Sequence, residues 1–316
     1  MPVWHLHMKK IFIIHENDEW VMPLEIELKK INAPFEKWHM DTISIDTNVA
    51  PPNGVFYNRM SASSHTRGHR FAPEYTAVVL NWLESYKKRI INSSRALILE
   101  LSKNFQYKEL EKENIKFPHT VYASNKETLL NLGKTFPSPF LTKHNRAGRG
   151  LGIKLFYNYS NFEKYIRSDN FEDSVDGITL LQKYIKPKTN TIIRAEFVGS
   201  KFLYAVQVDA SKGFDLCPAD VCNLEDEYCP ANPTGNKFMV LNNFSNPILE
   251  KYQMVLKNNN IEIAGIEFLE DLEGQLYTYD INTNTNYNSI AESLTETKGM
   301  RIIADYLKKE LDLIIE

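Results

Sequence analysis

The sequence predicts an α/β (α+β) protein of two or three lobes, the first of them an open α/β lobe. Three observations point there. The first hundred residues alternate short apolar runs with helical periodicity. Two S-x-x-E capping boxes, Ser124/Glu127 and Ser160/Glu163, flank a pair of extended arms. Beyond residue 190 two hairpin patterns dominate. A chain of 316 residues also exceeds one ordinary core. The first lobe is expected to end near residue 100.

KKIFIIHEN is an apolar run ending in polar residues and reads as a strand, while Leu24, Leu28 and Ile31 in PLEIELKKINAP recur at helical spacing. GVFYNRM is a second strand, followed by the Gly- and Ser-rich SASSHTRGHRF, a helix from about Pro73, and RIINSS as a return strand. Ser102 suits the N-cap of a helix over KNFQYKELEKEN, and IKFPHTVYA is extended. The capping boxes open helices over SNKETLLNLGK and SNFEKYIRS; between them PFLTKHNRAGRGLGIKLF places two arms around a glycine loop. ITLLQKYI is a strand, and TIIRAEFVGSKFLYAVQVDA a hairpin turning at GSK. NPILEKYQMVLKNN is a helix with Pro247 early, where it is tolerated. IEIAGIEFLEDLEGQLYTYDINT gives two strands about EDLEGQ. The last helix puts Ile303, Tyr306, Leu307, Leu311 and Ile314 on one face.

Lys plus Arg number 37 against 40 Asp plus Glu, a net charge of -3, so no summed basic field draws nucleic acid or an anionic membrane. The apolar run IFII is far too short for a signal peptide or a membrane span, which makes a cytoplasmic location the expectation; Met8 reads as a start as well as Met1 does. Cys217, Cys222 and Cys229 are odd in number and their C-x4-C-x6-C spacing suits no usual zinc site. Reduced thiols are expected, in a Pro- and acid-rich segment that would cover the acceptor site. There is no HExxH and no GxSxG, which argues against a zinc protease or serine hydrolase.

The stretch YTYDINTNTNYN carries the chemistry. A strand puts alternate residues on one face, so Asp280, Asn282 and Asn284 are expected to point one way while Tyr279 and Ile281 turn into packing. Pairing about EDLEGQ brings Glu267 opposite the Asp280 region, and such a trio of oxygens suits Mg2+ (or Mn2+), which takes one or two carboxylates and completes its shell with water and phosphate. Taken alone, a polar turn or the solvent face of a hairpin explains these residues as well. Gly148, Gly150 and Gly152 would let backbone N–H groups approach a polyphosphate that Lys143 reaches; the loop lacks GKS or GKT and joins two strands, so it is no P-loop, and by itself it fits a flexible hairpin equally. Arg194 and Lys103 are cations in apolar surroundings, which snorkelling or a salt bridge explains when each is taken alone. HENDEW, with Arg59, Ser61 and His69, follows strand ends, where open α/β sheets collect ligands, and would hold a carboxylate and an amine; structural turns explain these residues equally.

In this order and spacing, Lys103, Lys143 with its glycine loop, LLQKYI, Arg194, Glu267, Asp280 and Asn282 resemble the ATP-grasp superfamily, specifically its RimK-like carboxylate–amine ligases, from about residue 55 to 316. The resemblance implies an open N-terminal α/β lobe followed by two α+β lobes clamping ATP, with the partition 1–101, 102–185 and 186–316. Lys103 and Lys143 would hold the α- and β-phosphates. Gln182, Lys183, Tyr184 and Ile185 would form the interlobe hinge, with backbone groups of Lys183 and Ile185 at the adenine edge. Arg194 would steady the transferred phosphoryl group or the acyl phosphate, and Glu267, Asp280 and Asn282 would bind the metal. Three positions depart from the family: Lys183 stands where Glu is usual, Asp280 where Glu is usual, and TNTNYN where a Pro-Gly turn is frequent. Asn284, Asn286, Tyr287 and Asn288 would then face the substrate with neutral donors.

The activity implied is an ADP-forming ligation through an acyl phosphate, on an amino acid, a peptide or a related small carboxylate. An ATP-grasp kinase phosphorylating a hydroxyl shares almost all of these residues, and a non-catalytic ATP-binding module is the other alternative. The sequence leaves homo-oligomer formation open.

Overall fold

In KIFIIH every residue from Ile11 onward is buried, which an apolar run achieves as a strand covered on both faces. The computed structural model, which describes residues 9–148, 150–210, 238–241, 243–287, 292–293 and 295–315, makes it β1 (Lys10–His15) of a parallel sheet. The strand order is β2 (Phe35–His39), β1, β3 (Gly54–Asn58), β4 (Arg89–Ile91). Ile11 and Ile13 face one core with α1 (Asp18–Lys30), and Phe12 and Ile14 face the opposite core with α2 (Ala72–Ser85). Helix α1 starts ahead of PLEIELKK because the Asn17 side chain caps it, accepting from the Trp20 N–H at 3.2 Å; Pro23 lies inside the helix.

The middle lobe is an antiparallel sheet in the order β5 (Thr120–Ala123), β8 (Thr179–Lys183), β6 (Phe140–His144), β7 (Lys154–Phe156), covered by α5 (Lys126–Thr135) and α6 (Tyr159–Ile166). Both helices form where expected but with different caps. Asn125 and Asn158, not Ser124 and Ser160, accept the third-residue N–H groups, from Thr128 at 2.8 Å and Asn161 at 2.9 Å. Asn is at least as good a cap as Ser, and here the position just before the first helical residue falls on Asn125, one residue after Ser124, and on Asn158, since Ser160 already lies inside its helix.

The third sheet is antiparallel, in the order β11 (Phe238–Leu241), β10 (Lys201–Asp209), β9 (Thr191–Val198), β12 (Ile263–Glu270), β13 (Leu276–Asn282). α7 (Ile248–Asn258), α3 (Ser94–Leu101) and α4 (Lys103–Lys112) back it through one core: Ala96, Leu99, Tyr107 and Leu110 meet Phe197, Tyr252 and Phe268. Three helices cross the spans drawn from sequence, α3 among them, since it backs the third sheet from within the first span. α4 packs on the third sheet, and the C-terminal helix α8 (Gly299–Asp312) packs on the first, its Ile303 and Leu307 in the core of Leu24 and Leu28. Burying each such side chain contributes about 1.5–3 kcal/mol, so α8 fastens the chain's end to its beginning.

Asn92 joins the first and third lobes: its amide donates to the carbonyls of Ile263 (2.7 Å) and Thr283 (2.8 Å) and accepts from the N–H groups of Glu262 and Ile263. Arg89 adds bonds to Glu262 (2.6 Å) and Glu310 (2.8 Å). The three cysteines, like Asn288, lie outside the described residues. Among the described residues no helix is long and apolar enough to cross a membrane.

His15, at the end of β1, is 1 % exposed, and neither ring nitrogen has a hydrogen-bond partner among the described residues. Burial lowers its pKa from 6.5 to about 4; Asp18 works against the shift, while His39, Lys37 and Arg59 assist it. Between those values the unfolded chain takes up a proton that the folded chain refuses. Stability therefore falls as pH drops from about 6.5 to about 4, by at most about 3 kcal/mol from this group. Urea unfolding at pH 7 and pH 4.5 is expected to show a smaller pH dependence for His15→Phe than for the wild type. Equal dependence in the two proteins would clear His15.

Candidate active site

Strands β12 and β13 pair Glu267 directly with Asp280, and Gly265 with Asn282. Between Glu267 and Phe268 the register shifts, because Phe268 pairs with Thr278 and Tyr279 is the extra residue of a bulge. The bulge corrects the simple alternation expected for this strand: Tyr279 lies on a cavity wall beside Asp280, while Thr278 and Ile281 are buried.

That cavity, about 100 Å³, opens between the three lobes. From the third sheet come Arg194, Glu267, Asp280 and Asn282; from the middle lobe Lys143 and the glycine loop with Gly148 and Gly150; from the first lobe Trp20, Ser61 and Ser63; and from the connecting helices Glu100 and Lys103. Gly152 holds the loop's return with φ +73°, and a Cβ there would stand 2.2 Å from the His144 ring, so only glycine fits. Arg146, at the base of the loop, reaches across to Glu74 of α2 at 2.7 Å.

The acids are already matched by cations. Lys103 is bonded to Asp280, and Arg194 spans Glu196 (2.6 Å), Glu267 (2.9 Å) and the Thr285 hydroxyl (2.7 Å). Lys143 donates to the Tyr279 carbonyl at 3.4 Å and lies 5.4 Å from that ring's centre. Burial pulls Lys143 below its ordinary range, although Asp280 and Glu267 resist this. Burial, supported by the charge of Asp280, raises Glu267 against the pull of Arg194. For Asp280 burial works upward, but Lys103 and Lys143 outweigh it and hold the group below the usual carboxylate range.

Among the described residues no three His, Cys, Asp or Glu side chains gather as a metal cage. Two carboxylates and one amide are nonetheless the complement that Mg2+ takes when phosphate and water supply the rest. Asn282 lies close enough to share the site, its Nδ2 3.4 Å from Glu267 Oε1. The donor set therefore fits a hard divalent cation that arrives with a polyphosphate.

Other expected site residues lie elsewhere. His69 is bonded to Asp41 and is not on the cavity wall. Tyr287 is buried against Tyr204 and Gly299 rather than facing a substrate, because the alternation past Asn282 turns odd-numbered residues inward. Arg59 is 2 % exposed and spent on Asn284 (3.2 Å), the Thr285 carbonyl (3.1 Å) and Asn286 (2.7 Å), so it braces the wall rather than meeting a ligand. Gln182 bonds Tyr107 and Thr120, and the Lys183 N–H is taken by the His119 carbonyl at 2.8 Å. Residues 182–185 do not line this cavity, although they connect the lobes that form it.

Glu196, Thr285 and Glu100 belong to the site and carried no expectation. Glu196 sits two residues beyond Arg194 on the same face of β9, and that spacing was the available signal. Thr285 completes its triangle, donating to Glu196 at 2.8 Å. Glu100 lines the cavity and accepts from the N–H groups of Ala62 (3.2 Å) and Thr283 (2.8 Å), tying the Ser61–Ser63 loop to the end of β13.

Comparison with models of known families and with curated proteins finds no match. Solved structures do match. The ATP-grasp ligase PsnB complexed with a minimal precursor, Mg and ADP superposes with a TM-score of 0.64 at 12% identity, over 95% of this chain and 97% of that one. A RimK-domain ATP-grasp protein from Sphaerobacter thermophilus gives 0.63 at 12%, over 94% and 98%. D-alanyl-alanine synthetase A from Vibrio cholerae gives 0.65 at 12%, over 96% and 99%. The chain has the ATP-grasp fold. In ATP-grasp terms, the glycine loop belongs to one antiparallel sheet and the Glu267–Asp280 pair to the other, and the parallel N-terminal lobe closes the remaining side of the cavity.

Proposed function

We propose that this chain is an ATP-dependent, ADP-forming ligase that joins a carboxylate to an amine. The observation that carries the reading is the cross-strand pair Glu267 and Asp280, set in one cavity with Lys103, Lys143, Arg194 and the glycine loop. Glu267, Asp280 and Asn282 would hold Mg2+, which supplies charge neutralisation at the phosphates. A substrate carboxylate oxygen bonds to the γ-phosphorus as the bond to the β,γ-bridging oxygen breaks, and ADP leaves. The amine then attacks the acyl carbon, the bond to phosphate breaks, and the nitrogen loses a proton. No side chain is needed as a nucleophile. Lys143 and Arg194 hold phosphoryl oxygens, and the buried setting strengthens those contacts.

The substrate is a small molecule or a peptide. A complex of PsnB with a precursor peptide and the similarity to a D-alanyl-alanine synthetase support this range, and the balanced charge of this chain gives no reason for a nucleic-acid or membrane partner. A cytoplasmic location belongs to the same proposal. The test is release of ADP and phosphate with paired acids and amines, short peptides included, and hydroxylamine trapping of the acyl phosphate. Hydroxamate formation is expected. AMP with pyrophosphate, or a stable phosphorylated alcohol, would overturn the ligase reading.

A further inference from the structure

A guanidinium has five N–H donors and no acceptor, so any amide facing it must present its oxygen. Arg59 is buried, and its Nε and Nη2 contact Asn284 Oδ1 and Asn286 Oδ1. Both amides are thereby fixed in one orientation. Their NH2 groups have no partner among the described residues and are left for the cavity that these two asparagines line. A second arginine acts on the serines opposite. Arg67, clamped to Glu16 at 2.5 Å and 3.1 Å, donates to Ser63 Oγ at 3.1 Å; the Ser63 N–H donates to Ser61 Oγ at 3.2 Å; and the two hydroxyls share one hydrogen bond at 3.0 Å. Two hydroxyl hydrogens serve one such bond, so one remains to be donated into the cavity.

We propose that Arg59 and Arg67, neither of them a ligand, turn this wall into a neutral donor cradle for a carboxylate, formed by the NH2 groups of Asn284 and Asn286 and one serine hydroxyl. An ammonium finds no free carboxylate on this wall. Both oxygens of Glu16 are taken by Arg67, and those of Glu100 by Ala62 and Thr283. The cradle therefore receives the acid and leaves the amine to enter from elsewhere. Its identification with the carboxylate that is activated rests on the ligase reading; the binding itself does not. A wall of neutral donors selects an oxygen acceptor by hydrogen-bond direction, and a cavity of about 100 Å³ admits a group the size of acetate.

The test uses acetate and acetamide as probes on the full chain without nucleotide, read by saturation-transfer NMR of the probe methyl group. Asn286→Asp keeps an oxygen toward Arg59 and replaces the NH2 donor with a second oxygen; Asn284→Asp does the same one step along. Wild type is expected to bind acetate more tightly than acetamide. Each variant is expected to lose about tenfold or more in acetate affinity, with acetamide binding changed far less and the melting temperature retained. Ser61→Ala/Ser63→Ala is expected to weaken acetate without added charge. Failure of acetate to saturate the wild type, equal binding of the two probes, or undiminished acetate binding by the aspartate variants would overturn the proposal. A protein that passes these tests yet releases no ADP would sink the ligase reading alone.

Discussion

Asp280→Asn is expected to lower kcat for ADP release by about 10² or more, the usual cost of losing one preorganised electrostatic contact at a site of developing charge. The substitution keeps the shape of the side chain and removes one of the two negative charges that Glu267 and Asp280 would present to the proposed divalent cation. Its effect should concentrate in the Mg2+ dependence. The Mg2+ concentration for half-maximal rate should rise steeply, and the affinity for Mn2+ followed by electron paramagnetic resonance should fall even without turnover. The same change touches the resting protein, because Lys103 is 4 % exposed and its carboxylate partner is Asp280. Asn still offers an oxygen to that ammonium, so the fold should persist with reduced stability rather than collapse. A kcat within threefold of wild type at saturating Mg2+ would remove Asp280 from the metal site.

What the sequence disclosed about this site follows the range of the interactions. Glu267 opposite Asp280 is a hairpin pairing, set by the short turn between two strands, so local pattern reaches it. Glu267 beside Arg194 depends on β12 pairing with β9, more than sixty residues away in the chain, and only the resemblance to a family placed them together. The bulge at Tyr279 left no trace in the alternation of residue types. Helix α8 shows its apolar face in the sequence, but a face does not name its partner, and the partner is the first lobe. Arg59 looked like a free cation following a strand. Its fixed role comes from two asparagines more than two hundred residues later, whose own purpose was legible only as neutral polarity. Glu100 works by accepting backbone N–H groups from two loops, and a single carboxylate in a helix announces nothing of that kind.

Gly265→Ala is the substitution that isolates the placement of Arg194 from its chemistry. Gly265 sits in β12 at a backbone angle that alanine adopts freely, so no conformational strain enters, but a Cβ there would lie 2.5 Å from Arg194 Nη2 and 2.6 Å from its Nε. The guanidinium cannot give way cheaply. It is 5 % exposed and bonded at once to Glu196, Glu267 and Thr285, so moving it breaks a buried network whose remaining acids then lie unpaired. Overpacking of this kind costs about 1–3 kcal/mol in stability, which leaves most of the molecules folded. The cost in rate should be larger, about 10² in kcat, since a displaced charge loses the oxygens it was aligned to hold. ATP affinity, measured with a non-hydrolysable analogue, should change little, because Lys103, Lys143 and the glycine loop are untouched. The comparison is with Arg194→Gln, and the two variants should fall to similar rates. If Gly265→Ala unfolds near the wild-type temperature and keeps its full kcat, the position of Arg194 does not matter to the reaction, and its place in the catalytic machinery goes with it.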